Sequence, residues 1–200
     1  MELAISVRSA SSFKALRNDA MSSTASHLSA NCYSSSMRIL FRSLLSLALI
    51  AWLGAEIFFP VVAATTFRTL APNTHTAGAI VGSLLRTMHL VGMVCGVVSL
   101  IVLAAGPFWG LGRPRAVLAA MALLVAMLAA TACSQYGITP AMERDRLAAG
   151  GAIDAVAITH PARVHFERLH KLSVKVEGLV LLFGLSTVVL VAYAETTRPR

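Results

Sequence analysis

The sequence predicts an all-α, polytopic membrane protein, a four-transmembrane-helix bundle with a disordered N-terminal tail. Hydrophobic residues make up 56% of the chain and charged residues only 13%, whereas soluble domains carry roughly 25% charged residues. The apolar residues are gathered into four long blocks, each suited to a helix that crosses a bilayer. A length of 200 residues allows one such domain.

The predicted tail covers residues 1–36. It is rich in Ser, as in the run Ser34–Ser36, and no hydrophobic period is sustained. Such a segment buries too little apolar surface to offset the entropy lost on ordering. The basic and apolar run that begins at Met37 is typical of the start of a membrane protein. We therefore expect the membrane domain to cover residues 37–197, and we hypothesise that translation begins at Met37.

The first span is predicted at residues 44–64, after Arg38 and Arg42. Glu56 is the acidic residue of this block, and a charged side chain at the bilayer centre costs about 2.5–3.5 kcal/mol on insertion scales. We therefore expect Glu56 to face the protein interior, either paired or protonated. Gly54 is expected to let another helix approach closely.

The second span is predicted at residues 84–105 and the third at residues 116–133. Arg86 and His89 lie three residues apart near the start of the second span, and Gly92 and Gly96 continue the face of His89. Small residues at this spacing favour close helix packing. The third span is rich in Ala and has no ionisable residue, which favours a packing helix.

The fourth span is predicted at residues 174–194, in a helix that begins near Pro161 after a long connector from Ser134 to His160. His170, Ser173 and Glu177 are spaced i, i+3 and i+7, so they share one face of this helix. The first turns of this helix, from Pro161 onward, contain too many charged residues to lie within the bilayer. An i, i+4 pair of Arg163 and Glu167 suits a helix in contact with water.

These positions predict a polar site at one end of the bundle. Four antiparallel spans bring the start of the second span and the start of the fourth to the same side, and Glu56 lies toward that side too. The site would bind an ion, a proton or a small solute, although a purely structural ion pair remains an alternative. Its six candidate residues are Glu56, Arg86, His89, His170, Ser173 and Glu177.

Several short runs resemble the transmembrane protein 205-like family, an integral membrane domain of unknown function. They are Trp52-x-Gly54, Phe67–Leu70, Ala77–Gly78, Pro140 with Arg144, and Phe166-x-x-x-His170-x-x-Ser173. The resemblance covers residues 38–194. It implies four membrane helices and no established enzymology. Where that family often has Asn four residues after the Ser, this chain has Glu177.

Other functional classes are alternatives to the polar site. Metal or haem binding through His89 and His170 is an alternative, because imidazole is a ligand for Zn, Cu and Fe. No dedicated metal site is predicted, since no pair of His residues has i, i+4 spacing. A structural or auxiliary membrane subunit is a further alternative. An enzyme is not predicted, because the chain has no HExxH, no GxSxG and no phosphate-binding loop.

The net charge of +8 is attributed to Arg and Lys that anchor helix ends to lipid headgroups. Nucleic acid is not an expected partner, since no basic face interleaved with aromatic residues occurs. The expected partner is the lipid bilayer, with a second copy of the chain or another membrane protein as open alternatives. We predict a multi-pass protein of the bacterial inner membrane with a cytoplasmic N-terminus, because basic residues flank the predicted inner side.

Overall fold

The computed structural model describes residues 3–106, 111 and 113–196, with side chains described from Ser35 onward. The chain divides into two units, Met1–Arg42 and Ser43–Arg200. The described helices are α1 (Leu3–Thr69), α2 (Thr74–Ala104), α3 (Pro114–Cys133), α4 (Thr139–Ala148) and α5 (Pro161–Glu195). A π-helical turn, Ser134–Ile138, joins α3 to α4, and a 3₁₀ turn, Ile153–Ala155, precedes α5. The described residues contain no strand.

Among the described residues, four helical segments are long and apolar enough to cross a membrane: Ser35–Thr69, Thr74–Ala104, Pro114–Ala148 and Pro161–Glu195. This confirms the predicted all-α, four-span, multi-pass membrane protein. The final helix ends at Glu195, within a residue of the predicted end of the fourth span. The predicted end of the domain at residue 197 lies outside the described residues.

The helices are longer than the predicted spans. α2 begins at Thr74, where Asn73 Oδ1 accepts a hydrogen bond from the Thr76 N–H at 3.1 Å. This cap places the start of α2 ten residues before the predicted span. The connector predicted to begin at Ser134 instead starts with the π-helical turn and α4, so helical backbone continues beyond Cys133.

The backbone of residues 3–36 is described as part of α1, and the disordered tail stays a prediction. The sequence is compatible with this helix, because the first Gly is Gly54 and the first Pro is Pro60. Without either residue, nothing before Gly54 breaks a helix. The domain boundary after residue 36 and the translation start at Met37 stay predictions.

Within the unit Ser43–Arg200, α3 packs against α2 and α5, and α1 contacts both of the same neighbours. Trp52 of α1 lies against α2 at Gly92 and Gly96, and Leu53 packs against Gly184 of α5. The side chains at the centre are almost fully buried, and the largest of them are Trp52, Leu103, Leu124 and Met127. α1, α2, α3 and α5 therefore surround a common core.

Apolar side chains also cover the outside of the bundle, as expected for a surface in contact with lipid. On α5 an outward-facing stripe runs from Lys175 through Leu182 and Val189 to Tyr193, whose ring lies 3.8 Å from the Arg113 guanidinium carbon. From Lys175 to Tyr193 the helix rises about 27 Å, close to the roughly 30 Å of a bilayer core. The stripe thus places Glu177 just inside one edge of the apolar zone.

Candidate functional site

His89 is the centre of a polar cluster inside the bundle. It is fully buried, and it shares a buried face of α2 with Gly92, Gly96 and Ser99. The spacing of these residues, i, i+3, i+7 and i+10, keeps them on one side of the helix. The two glycines leave room along this face for a large side chain from another helix.

That side chain is Trp52 of α1. A Cβ built on Gly92 would lie within 3 Å of the indole nitrogen, and one built on Gly96 would meet the far end of the same ring. The indole therefore lies along α2, with its N–H at the level of Gly92. The N–H donates to Glu56 Oε1 at 3.3 Å. The Glu56 side chain therefore lies inside the bundle, where it is only 5% exposed. There its carboxyl group interacts electrostatically with His89 and Glu177.

Glu177 of α5 joins the cluster through one of its two carboxyl oxygens. Its Oε1 lies 2.9 Å from His89 Nε2 and accepts a hydrogen bond of 2.9 Å from Ser134 Oγ. Its Oε2 is buried and has no hydrogen-bond partner among the described residues. The hydrogen-bond partners of Glu177 are therefore an imidazole and a hydroxyl rather than a Lys or Arg.

The π-helical turn supplies two members of the cluster. Its defining i→i+5 bond runs from the Thr139 N–H to the Ser134 carbonyl, and such turns often occur at functional sites. Ser134 reaches Glu177, and Gln135 Oε1 lies 3.0 Å from His89 Nδ1. Adjacent residues thus contact two different neighbours, one on α5 and one on α2.

The hydrogen bonds of His89 require a specific number of protons. Gln135 Oε1 is an acceptor, so Nδ1 must donate to it. Nε2 then faces a carboxyl oxygen of Glu177, and this contact at 2.9 Å is favourable only with a proton between the two atoms. The geometry is that of an imidazolium beside a carboxylate, or of a neutral imidazole beside a carboxylic acid. Without the shared proton, two acceptors would face each other.

Apolar packing closes the cluster toward the middle of the bundle. Leu124 and Met127 are fully buried on α3, and Trp52 fills the space beside Gly96. On the other side, the Glu177 side chain retains 17% exposure. Glu177 is therefore the partly open member of the pair, whereas His89 is fully enclosed.

The structure brings together three of the six predicted residues, Glu56, His89 and Glu177. Ser173 is buried on α5 one turn before Glu177. Arg86 and His170 lie outside the cluster. Arg86 is exposed and makes no hydrogen bond or ion pair within the described part of the chain. His170 is exposed, with its ring centroid 6.4 Å from that of Phe166.

The glycines predicted to pack helices also differ from one another. A Cβ on Gly92 or on Gly96 would collide with Trp52, so both glycines lie at a close approach of helices. A Cβ on Gly54 would meet nothing within 4 Å. No other helix approaches Gly54 closely in the described part of the chain.

Metal or haem binding by His89 with His170 is not favoured by this arrangement. Both nitrogens of His89 are taken by Gln135 and Glu177, whereas the His170 ring lies at the surface beside Phe166. The residues described by the structure contain no group of three or more His, Cys, Asp or Glu that could hold a metal ion.

Sequence reasoning missed Trp52, Ser134 and Gln135 as members of the site. The role of Trp52 could have been found in the sequence, because its i, i+4 spacing from Glu56 puts an indole N–H within reach of that carboxyl group. Ser134 and Gln135 follow directly on an apolar block, where polar residues ordinarily mark the end of a span. Their role depends on the π-helical turn, which has no sequence signature of its own.

Comparison with protein families finds a match over residues 47–149 to a domain of unknown function, DUF4149. The match includes Trp52, Glu56, His89, Ser134 and Gln135, and it ends before Glu177. No curated protein and no solved structure matches the chain.

Proposed function

The chain belongs to the DUF4149 family, a domain of unknown function, and we propose that it is a multi-pass membrane protein whose buried His89–Glu177 pair binds and releases a proton. The observation that carries this proposal is the position of His89 between two oxygen acceptors. Its contacts of 3.0 Å to Gln135 and 2.9 Å to Glu177 both require N–H or O–H protons. The pair therefore has a protonated and a deprotonated form with different hydrogen bonding.

The setting supports a functional rather than a purely structural pair. A structural ion pair is best served by full neutralisation, because an uncompensated charge in a membrane is costly. This cluster contains two carboxyl groups and one imidazole, and Glu177 Oε2 is buried with no partner in the described structure. A proton is the smallest ligand that neutralises such a cluster. An inorganic cation or a small polar solute bound at Oε2 is the alternative within the same proposal.

Three finer inferences accompany the proposal. The resemblance to the transmembrane protein 205-like family, through Phe166, His170 and Ser173, concerns residues at the start of α5, beyond the DUF4149 match. The bacterial inner membrane and a cytoplasmic N-terminus stay predictions from the distribution of Arg and Lys. The absence of enzymatic activity and the association with a second copy or another membrane protein also stay predictions.

The proposal is tested by measuring how many protons each protein molecule releases as the pH is raised. Glu177→Gln keeps a group that can donate to His89 Nε2 but removes the shared proton, so the variant should fold and release one proton fewer per molecule from neutral to alkaline pH. Glu167→Gln on the same helix is the matched control. Glu167 is 50% exposed and lies outside the polar cluster, so its removal should leave the count unchanged.

A second measurement shows whether the released proton comes from the polar cluster. The chain has two tryptophans, so in a Trp109→Phe background the fluorescence reports on Trp52 alone. The proton release and the Trp52 signal should share one midpoint, and Glu177→Gln should remove that shared transition. A folded Glu177→Gln protein that releases as many protons as the wild type would exclude the pair as a proton site.

A further inference from the structure

The first half of α5 carries a basic stripe on its outward face. Arg168, Lys171 and Lys175 are all exposed, and their spacing of i, i+3 and i+7 aligns them along one side of the helix. The stripe is separate from the polar cluster, because Glu177 and Ser173 point into the bundle from a different side of α5.

None of these three cations has a partner among the residues that the structure describes. Arg168, Lys171 and Lys175 make no hydrogen bond or ion pair with any other residue that the structure describes. Two other basic residues at this end of the bundle do form ion pairs. Arg146 Nη2 donates to Glu143 at 2.8 Å, and Arg163 contacts Glu167 at 3.4 Å. Three unpaired charges thus lie together on one face of α5 that points away from the bundle.

The same face continues as an apolar surface in the direction of the membrane. Leu172 is 47% exposed, Leu179 48% and Leu182 56%. Around the helix axis, all three leucines lie within about 60° of Arg168 and Lys175, and Leu182 also lies within about 20° of Lys171. A molecule that fits this face has an anionic group beside the three cations and a long apolar part that runs down the helix. Those are the properties of an anionic phospholipid.

We propose that Arg168, Lys171 and Lys175 bind the phosphate headgroup of an anionic phospholipid, whose acyl chains lie along Leu179 and Leu182. The height of these three basic residues relative to the apolar zone supports this assignment. Lys175 stands at the edge of the apolar zone, and Arg168 and Lys171 lie above it by about 10 Å and 6 Å along the helix. Long basic side chains at this height can reach headgroup phosphates from above and from the side.

The test compares two triple variants of the full chain in vesicles of phosphatidylglycerol or phosphatidylcholine. The first variant is Arg168→Gln/Lys171→Gln/Lys175→Gln. The matched control removes the same charge from exposed residues on three other helices at the same end, as Arg68→Gln/Arg86→Gln/Arg144→Gln. Bound lipid is counted by native mass spectrometry after release from mixed vesicles, and circular dichroism checks that both variants keep their helices.

The α5 variant should lose preference for phosphatidylglycerol over phosphatidylcholine by at least about tenfold, because each base near an anionic surface contributes several-fold to binding. The control should lose clearly less of this preference, because its three charges are spread over α1, α2 and α4 and do not line one helix face. Equal loss in both variants would show a general effect of net charge and overturn the site. A wild type that binds the two lipids equally, or an α5 variant that keeps its preference, would also overturn it.

Discussion

His89 Nε2 and Glu177 Oε1 lie 2.9 Å apart although 88 residues separate them in the chain. The contact joins α2 to α5. Ser134 and Gln135, at the end of α3, contact one member of the pair each. Three helices therefore meet at a single proton-dependent contact, so changes at this contact should affect both the stability of the bundle and its proton binding.

Gln135→Leu should destabilise the bundle. The substitution removes the acceptor of His89 Nδ1 and leaves a buried N–H without a partner, which costs about 1–3 kcal/mol. Thermal unfolding in detergent measures the loss. Tyr136→Leu is the matched control, because Tyr136 is the next residue and is 67% exposed. Equal stability of the two variants would contradict the hydrogen bond between Gln135 and His89.

Ser134→Ala should cost about 0.5–1.5 kcal/mol, because Glu177 Oε1 loses the hydrogen bond that the Ser134 hydroxyl donates. Ser186→Ala provides the comparison. The Ser186 hydroxyl is exposed and donates only to the Leu182 carbonyl of its own helix, so its loss should change the free energy of unfolding by less than about 0.5 kcal/mol. Chemical denaturation of both variants in the same detergent decides between a tertiary and a local role for Ser134.

Gly92→Ala should destabilise the protein by about 1–3 kcal/mol, the usual range for overpacking a core. The added methyl group would collide with the indole of Trp52, which has no space to withdraw because it is 1% exposed. Thermal unfolding provides the measurement.

Gly54→Ala is the control for Gly92→Ala. An alanine is favoured over glycine in a helix by about 0.5–1 kcal/mol, and a Cβ at Gly54 meets nothing within 4 Å. This variant should therefore keep or raise the stability. If Gly92→Ala behaves in the same way, Trp52 does not occupy the space beside α2.

Asp145→Asn should have a small effect. Asp145 Oδ2 lies 2.7 Å from His165 Nδ1 and links α4 to α5, but the His165 side chain is 56% exposed. Pairs at such positions contribute about 0–1 kcal/mol. Unfolding experiments should therefore rank Asp145→Asn below Gln135→Leu. The reverse order would mean that the link between α4 and α5, rather than the buried cluster, dominates the stability of this end of the bundle.

The sequence was sufficient to predict the four spans and half of the site. Glu56, His89 and Glu177 could be found because an ionisable side chain in an apolar block must turn inward. Arg86 could not be separated from His89 by the same argument. Three residues leave about 60° between side chains around a helix, so one of the two side chains can face the core while the other faces outward.

His170 shows a second limit of prediction from the sequence alone, after the case of Arg86. It shares a face of α5 with Glu177, but about 10 Å of helix lies between them, and a shared face says nothing about where the neighbouring helices end. Gln135 and Ser134 show a third limit. Their positions depend on how the chain leaves α3, and that geometry is set by tertiary packing rather than by the residues of the turn alone.

The π-helical turn Ser134–Ile138 has one more consequence. A turn closed by an i→i+5 bond holds one residue more than the same stretch of α-helix, which shifts everything after it by about 100° around the axis. The surface of α3 and the surface of α4 therefore follow two different helical registers. Deletion of one residue between 134 and 138 should restore a single register, swing Asp145 away from His165, and rotate either Ser134 or Gln135 out of the bundle. Alignments with relatives should place insertions and deletions at this turn.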